Sequence, residues 1–250
     1  MNLPLALAFL FFVGSTAGWV MELIFRRFFS SRNPERKWIN PGFCTGPYVP
    51  LYGFGLCILF LVTSLDSHTL IKDPVWNKLA LFFLSAVAMT VIEYIAGILC
   101  LKVMKVRLWD YSNEWGNIQG IICPKFSLAW AALGAVYAYL VHPHILEALA
   151  WLSNNLAFSF VIGLFFGVFI IDFVDSAQLI VKLKKFAEDN DVVVHYENIK
   201  AHIRRAQDQA AQRHHFFRPF RSERPLNDQL KEMLSTFEAR KHGKKTKDRT

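Results

Sequence analysis

Apolar residues run in long stretches through residues 3–181, and the polar residues of that region gather in short segments between them. A hydrocarbon core about 30 Å thick takes about 20 helical residues to cross, so run length is the first test. The runs 3–25, 79–101 and 156–181 pass it. The run 48–65 is slightly short. The run 126–141 is shorter still, short enough for a thin, tilted or re-entrant segment, and the stretch 145–152 beyond Pro143 reads as interfacial. Because lipid forces every backbone polar group to find an internal partner, such runs predict helices. The expected fold is all-α, a polytopic membrane helical bundle of about five transmembrane helices, with four or six left open. Ser15 and Ala17 stand where a signal-peptide cleavage site would have small residues. No Lys or Arg precedes the run, however, and it continues through Trp19 to Arg26 and Arg27, so it is expected to persist as the first helix.

Charge then divides the chain. Residues 1–181 hold 11 of the 28 Lys and Arg, whereas 182–250 hold 17 against 10 acids. The domains expected are therefore a transmembrane part, 1–181, and a basic tail, 182–250. With five spans, the loops 26–47 and 102–125 share a side with the tail, giving 26 basic residues there against two on the other. The positive-inside rule makes that side cytoplasmic and places the amino terminus outside. In the tail, Val193, Tyr196, Ile199 and Ile203 fall at three- and four-residue spacing on a helix continuing from the last span. A second stripe follows Pro225 with Leu226, Leu230, Met233, Leu234 and Phe237. The aromatic and basic stretch 214–221 favours an anionic leaflet, at about 1 kcal/mol per basic residue near the surface. Residues 241–250 are expected to be disordered. Nucleic acid is not an expected partner, since no recognition motif accompanies the charge.

The two basic loops read alike. Glu22, Arg26, Arg27, Trp38, Asn40, Gly42, Cys44 and Pro47 are matched in order by Glu93, Lys102, Lys105, Arg107, Trp115, Asn117, Gly120, Cys123 and Pro124, with spacing that drifts. Either 1–65 and 79–141 form a parallel repeat, or the shared preferences of interfaces and turns explain the match.

Four acids lie within the apolar runs, Glu22, Glu93, Asp172 and Asp175. An ionised carboxylate near the bilayer centre costs about 2.5–3.5 kcal/mol on insertion scales, which makes each a candidate polar intramembrane or pore residue. Glu93 is the deepest. No Lys or Arg lies inside any run, so an ionic partner must reach in from a loop, Arg107 and Lys102 being the candidates. Glu22 and Asp175 sit close enough to run ends to snorkel or to pair there. The Gly and Pro density between Pro41 and Gly55 is either a broken start to the second helix, putting free backbone groups beside Glu22 or Glu93, or a tight turn. Asp110 and Ser112 are placed to cap turns of their loop.

No GxxxxGK[ST] loop exists, so ATP hydrolysis would require another subunit. The four cysteines form no CxxC pair, and the eight histidines fall at the outer loops and the tail without a nucleophile and base set. Catalytic residues, metal and cofactors are not expected.

Trp19 with Glu22, then Asn40, Gly42, the string GPYVPLYGFG (Gly46, Pro47, Tyr48, Pro50, Tyr52, Gly53 and Gly55 among it), WDYS (Trp109, Asp110, Tyr111, Ser112), Asn117 and Gly120 carry a resemblance. Over about its first 140 residues the chain resembles the ABC transporter type IV permease family, CmpB-like integral membrane proteins. The resemblance implies a multi-pass protein of the bacterial cytoplasmic membrane and transfers no role to any single residue. The expected function is a transporter permease subunit with a polar intramembrane site around Glu93 and the Gly/Pro-rich loop. A non-catalytic scaffold or regulatory subunit and a lipid-acting enzyme are the alternatives. Expected partners are the bilayer, its anionic inner leaflet through the tail, a separate ATPase subunit and a second copy of the chain.

Overall fold

A computed structural model describes residues 2–30, 33–65, 73–190, 192–209 and 225–235. Helices α1 (Leu3–Phe28), α2 (Pro50–Ser64), α3 (Pro74–Ile98) and α4 (Pro124–Val136) each carry Pro in the first turn, where a missing N–H costs no helical bond. Asp73 caps α3, accepting from the Val75 and Trp76 amides at 2.9 and 3.1 Å. A wide π-type turn, Leu99–Val103, ends α3, and the strand β1 (Val106–Arg107) follows it.

The fourth apolar run differs from its sequence reading. A second π-type turn, Tyr137–Val141, carries α4 into α5 (His142–Asn154), so the helix continues past Pro143 where the sequence suggested a break and an interfacial stretch. The extra residue in a π turn relieves the clash between a proline ring and the preceding turn. Pro124–Asn154 thus becomes one helical segment of 31 residues. After a short 3₁₀ turn, α6 (Ser159–Asp189) completes the bundle. Four helical segments, Leu3–Phe28, Val75–Val103, Pro124–Asn154 and Leu156–Asp189, are long and apolar enough to cross a membrane. With 15 residues, about 22 Å at 1.5 Å per residue, α2 is shorter. The molecule is an all-α membrane helical bundle.

Lipid offers little hydrophobic drive between helices, so close contact depends on small residues. In α2, a Cβ at Gly53 would lie 2.8 Å from the Phe11 carbonyl oxygen, and one at Gly14 of α1 would lie 2.9 Å from that of Tyr52. The backbones of α1 and α2 therefore touch. Around that seam Leu10, Leu59, Met89, Trp130, Leu149 and Leu152 form the bundle core. By contrast α6 packs chiefly on α1 through phenylalanines and leaves much of its apolar surface exposed, including Phe160, Leu164 and Ile171, as a lipid-facing helix does.

A second core lies where the end of α6 meets the chain that follows it. The strand β2 (Val194–His195) pairs in parallel with β1, Val106 opposite Val194, and leads into α7 (Tyr196–Gln209). Val106, Leu183, Phe186, Val194, Ile199, Ile203 and Leu230 are buried together, and α8 (226–235) adds Leu226, Met233 and Leu234 to their edge. Both apolar stripes of the tail are consequently spent on internal packing, while Val193 stays exposed. The stretches 214–221 and 241–250 and Phe237 lie outside the described residues. Arg26 of α1 bonds Glu197 at 3.0 Å, and Lys200 reaches the Asn40 carbonyl at 2.5 Å. The end of α1, both basic loops and the chain after α6 thus share one face.

Candidate functional site

Near that face two glutamates approach each other from different helix pairs. Glu93, 2% exposed in α3, accepts a hydrogen bond from the Trp130 indole N–H of α4 at 2.9 Å and one from the Tyr111 hydroxyl at 3.1 Å. Neither Arg107 nor Lys102 reaches it. Arg107 instead binds Asp110 at 3.0 Å, because Asp110 is three residues away in the same turn, well short of the depth of Glu93. Neutral donors therefore satisfy this carboxyl. Tyr111 is itself held flat against Phe126, with ring centroids 4.3 Å apart. Burial, and next the neighbouring Glu93 carboxylate, push the Tyr111 hydroxyl far above its ordinary value, so Tyr111 stays a donor.

Glu22 of α1 accepts from Tyr52 of α2 at 3.0 Å and pairs with Arg26 one turn on at 2.9 Å. Arg26 continues to Glu197. The rings of Tyr52 and Trp130 lie 5.3 Å apart, which joins the two clusters. The resulting chain of contacts runs Glu197, Arg26, Glu22, Tyr52, Trp130, Glu93, Tyr111. Of these, Arg26, Trp130 and Glu197 escaped the site reading of the sequence. Trp130 had one legible signal, an indole donor within an apolar helix that requires an acceptor.

The Gly/Pro-rich loop holds a different acid from the two expected. Its Thr45 and Gly46 amides donate to Asp172 of α6 at 3.1 and 2.8 Å, joined by the Tyr48 hydroxyl and by Ser176 at 3.3 Å. The turn aims its free N–H groups outward at α6, away from Glu22 and Glu93. Burial, reinforced by the bond to Asp172, raises the Tyr48 hydroxyl well above its usual range. Burial, and then Asp172, push the Cys44 thiol up to about 12. Asp175, one turn further along α6, is exposed.

The remaining motif residues fix loop geometry. Trp19 donates to Asn40 at 2.6 Å, and Asn40 in turn donates to the Cys44 and Thr45 carbonyls at 3.2 and 3.1 Å. Asn117 ties the second loop in a related way, donating to the Ser112 and Glu114 carbonyls and accepting from the Gly120 amide. Gly42 and Gly120 both adopt positive φ, 74° and 67°, which side chains resist. Pro47 and Pro50 flank the start of α2, and Gly55 admits Met89 of α3. Trp109 donates to the Ile121 carbonyl at 2.9 Å. Ser112 donates through both its amide and its hydroxyl to Asp110, at 3.0 and 2.5 Å. Strand pairing also brings His195 to 3.5 Å from Asp110. Both Ser112 and His195 address the carboxylate, so no serine-to-histidine relay forms. Burial alone would raise Asp110, but the Ser112 bonds and the charges of Arg107 and His195 outweigh it and leave the carboxyl below its ordinary range. No group of three or more His, Cys, Asp or Glu suited to a metal ion occurs among the described residues.

No curated protein and no solved structure matches the chain. The family described as "Putative ABC-transporter type IV" matches residues 9–177, from α1 through Asp172 and Asp175, with both loops and the network from Arg26 to Tyr111 inside it and Glu197 beyond it. On that match, covering well over half of its length, the chain belongs to the putative ABC-transporter type IV family.

Proposed function

We propose that this chain is a permease subunit of a transporter in the bacterial cytoplasmic membrane, with the Glu22 to Glu93 network as its polar intramembrane site. The observation that carries the reading is the meeting of Tyr52 and Trp130, by which two acids from two helix pairs become one network across the bundle. Isolated acids would need only local partners; this arrangement holds two carboxyl groups, each able to take up a proton or cation, on facing helix pairs near the face bearing Arg26. Two pseudo-equivalent halves, α1–α2 and α3–α4 with their Asn and positive-φ Gly loops, supply this arrangement. Five crossings, with α2 in a locally thin part of the bundle, put the basic loops and tail in the cytoplasm and the amino terminus outside. Energy coupling falls to a separate ATPase subunit docked on that face. The basic tail residues lie toward the anionic leaflet, since its apolar stripes are engaged elsewhere.

Purification of the full chain in mild detergent, with identification of the chains that accompany it and an ATPase assay, tests the reading. A stoichiometric nucleotide-binding subunit with ATPase activity supports it; the chain alone, without activity, counts against it.

A second reading is favoured by one observation. Glu93 is buried and each of its oxygens accepts a hydrogen bond, as in a packing residue of a scaffold or regulatory subunit. Glu93→Gln separates the two: a folded variant with lost activity supports transport, and a folded variant with full activity supports the scaffold.

A further inference from the structure

A cavity of about 760 Å³ lies on the other side of the Gly/Pro-rich loop, between that loop, α6 and the start of α7. It is separate from the glutamate network and shares no acid with it. Its volume falls in the range of ligand pockets, roughly 300–1,000 Å³. The lining divides by chemistry. Val168 and Ile171, 55% and 68% exposed, form an apolar rim on the lipid-facing side of α6. Asp175, exposed, and Lys200, buried, also line the cavity. Asp172 is also in the wall, but both its oxygens are taken by Thr45, Gly46, Tyr48 and Ser176. Its role is to clamp the loop and form the wall. Lys200 is engaged with the Asn40 carbonyl. Asp175 accepts no hydrogen bond from a described residue and is the carboxylate that remains to meet a ligand.

We infer that this cavity binds the headgroup of an amine-bearing phospholipid from the adjoining leaflet, with Asp175 receiving the ammonium and the α6 rim receiving the acyl chains. Three features converge on this occupant. The cavity stands beside a helix whose exposed surface is apolar for several turns, so an amphiphile can lie along α6 with its polar end inside. Asp175 lies seven residues, about 10 Å along the helix, before Lys182, where a headgroup would sit. The sign is decided at Asp175: the phosphate is common to both kinds of headgroup and meets the same wall, Lys200 included, whereas only a primary ammonium gains a charge-assisted bond to the Asp175 carboxylate.

Native mass spectrometry of the full-length protein in mild detergent, titrated separately with phosphatidylethanolamine and phosphatidylglycerol, tests the inference. The expected result is preferential retention of phosphatidylethanolamine, weakened about tenfold or more in Asp175→Asn, as loss of a charged hydrogen bond implies. Because Asp175 is exposed, this variant should keep the wild-type melting temperature. Ile171→Trp, which narrows the rim, should weaken retention without touching the charge. Equal retention of both lipids, or phosphatidylethanolamine binding unchanged in both variants, would overturn the assignment.

Discussion

Tyr52 and Trp130 stand with ring centroids 5.3 Å apart, and each donates to a different glutamate, Tyr52 to Glu22 and Trp130 to Glu93. Each aromatic ring therefore does two things: it fills space in the core and carries a polar tip to an acid held on another helix. In a low-dielectric interior such donors matter more for what their loss leaves behind than for the bond itself.

Removing Glu93 should expose that asymmetry. Glu93→Ala strands the Trp130 N–H and the Tyr111 hydroxyl, so stability is expected to fall by about 1–3 kcal/mol for each orphaned donor. Glu93→Gln keeps one acceptor and should cost less. Thermal melts in one detergent would show the ranking; an alanine variant as stable as the glutamine variant would contradict the geometry.

The α1–α2 seam allows no side chain at Gly53. Gly53→Val would drive a Cβ against the Phe11 carbonyl oxygen, a backbone atom that cannot swing aside. Overpacking of this kind costs about 1–3 kcal/mol or more, and folded yield is expected to drop sharply. Gly163→Ala, with open space around its Cβ, is the control and should be neutral.

Asp172 restrains the first loop, and Cys44 reports on it. The Cys44 thiol, buried and held up at about 12, should alkylate slowly at neutral pH in the wild type. Asp172→Ala releases the Thr45, Gly46 and Tyr48 donors and removes the repelling charge. Both changes act in one direction, and labelling of Cys44 should accelerate at least about tenfold, the effect of one pKa unit on thiolate population. An unchanged rate would mean the loop is held by other contacts.

Asp110 should give the β1–β2 clasp a pH dependence. Its carboxyl lies below the ordinary value in the folded protein, so its contribution is present above the ordinary range near 3.9 and disappears as pH falls through the folded value. Hydrogen exchange at Val194 and along α7 should therefore rise on strong acidification, and Asp110→Asn should abolish that added response while raising exchange at neutral pH.

The bundle was largely legible in the sequence because run length against bilayer thickness is a one-dimensional test. Leu3–Phe28 and Leu156–Asp189 extend the 3–25 and 156–181 runs by a turn or two at the polar ends, where hydropathy fades before hydrogen bonding stops. The continuation past Pro143 was not legible, since it depends on a π-type turn that no residue type specifies. Glu93 could be singled out by its depth alone. Its partners could not, because Tyr111 lies in a loop and Trp130 in an apolar run, and only the fold brings them together. The Gly/Pro-rich loop drew attention for its free backbone groups, yet the sequence contained nothing to aim them at Asp172, 126 residues beyond Gly46. The tail stripe of Ile199 and Ile203 read as one face of an amphipathic helix, and what covers it was not legible because Val106, Leu183 and Phe186, which bury it, are scattered along the chain.

The most direct test of the central claim is ATP turnover by the complex purified through this chain, wild type against Glu93→Gln, at matched melting temperature and subunit content. Coupled transport through the glutamate network predicts that Glu93→Gln retains the partner subunit and the fold but loses most stimulated turnover. Full turnover in that variant would contradict it and assign the buried network to packing.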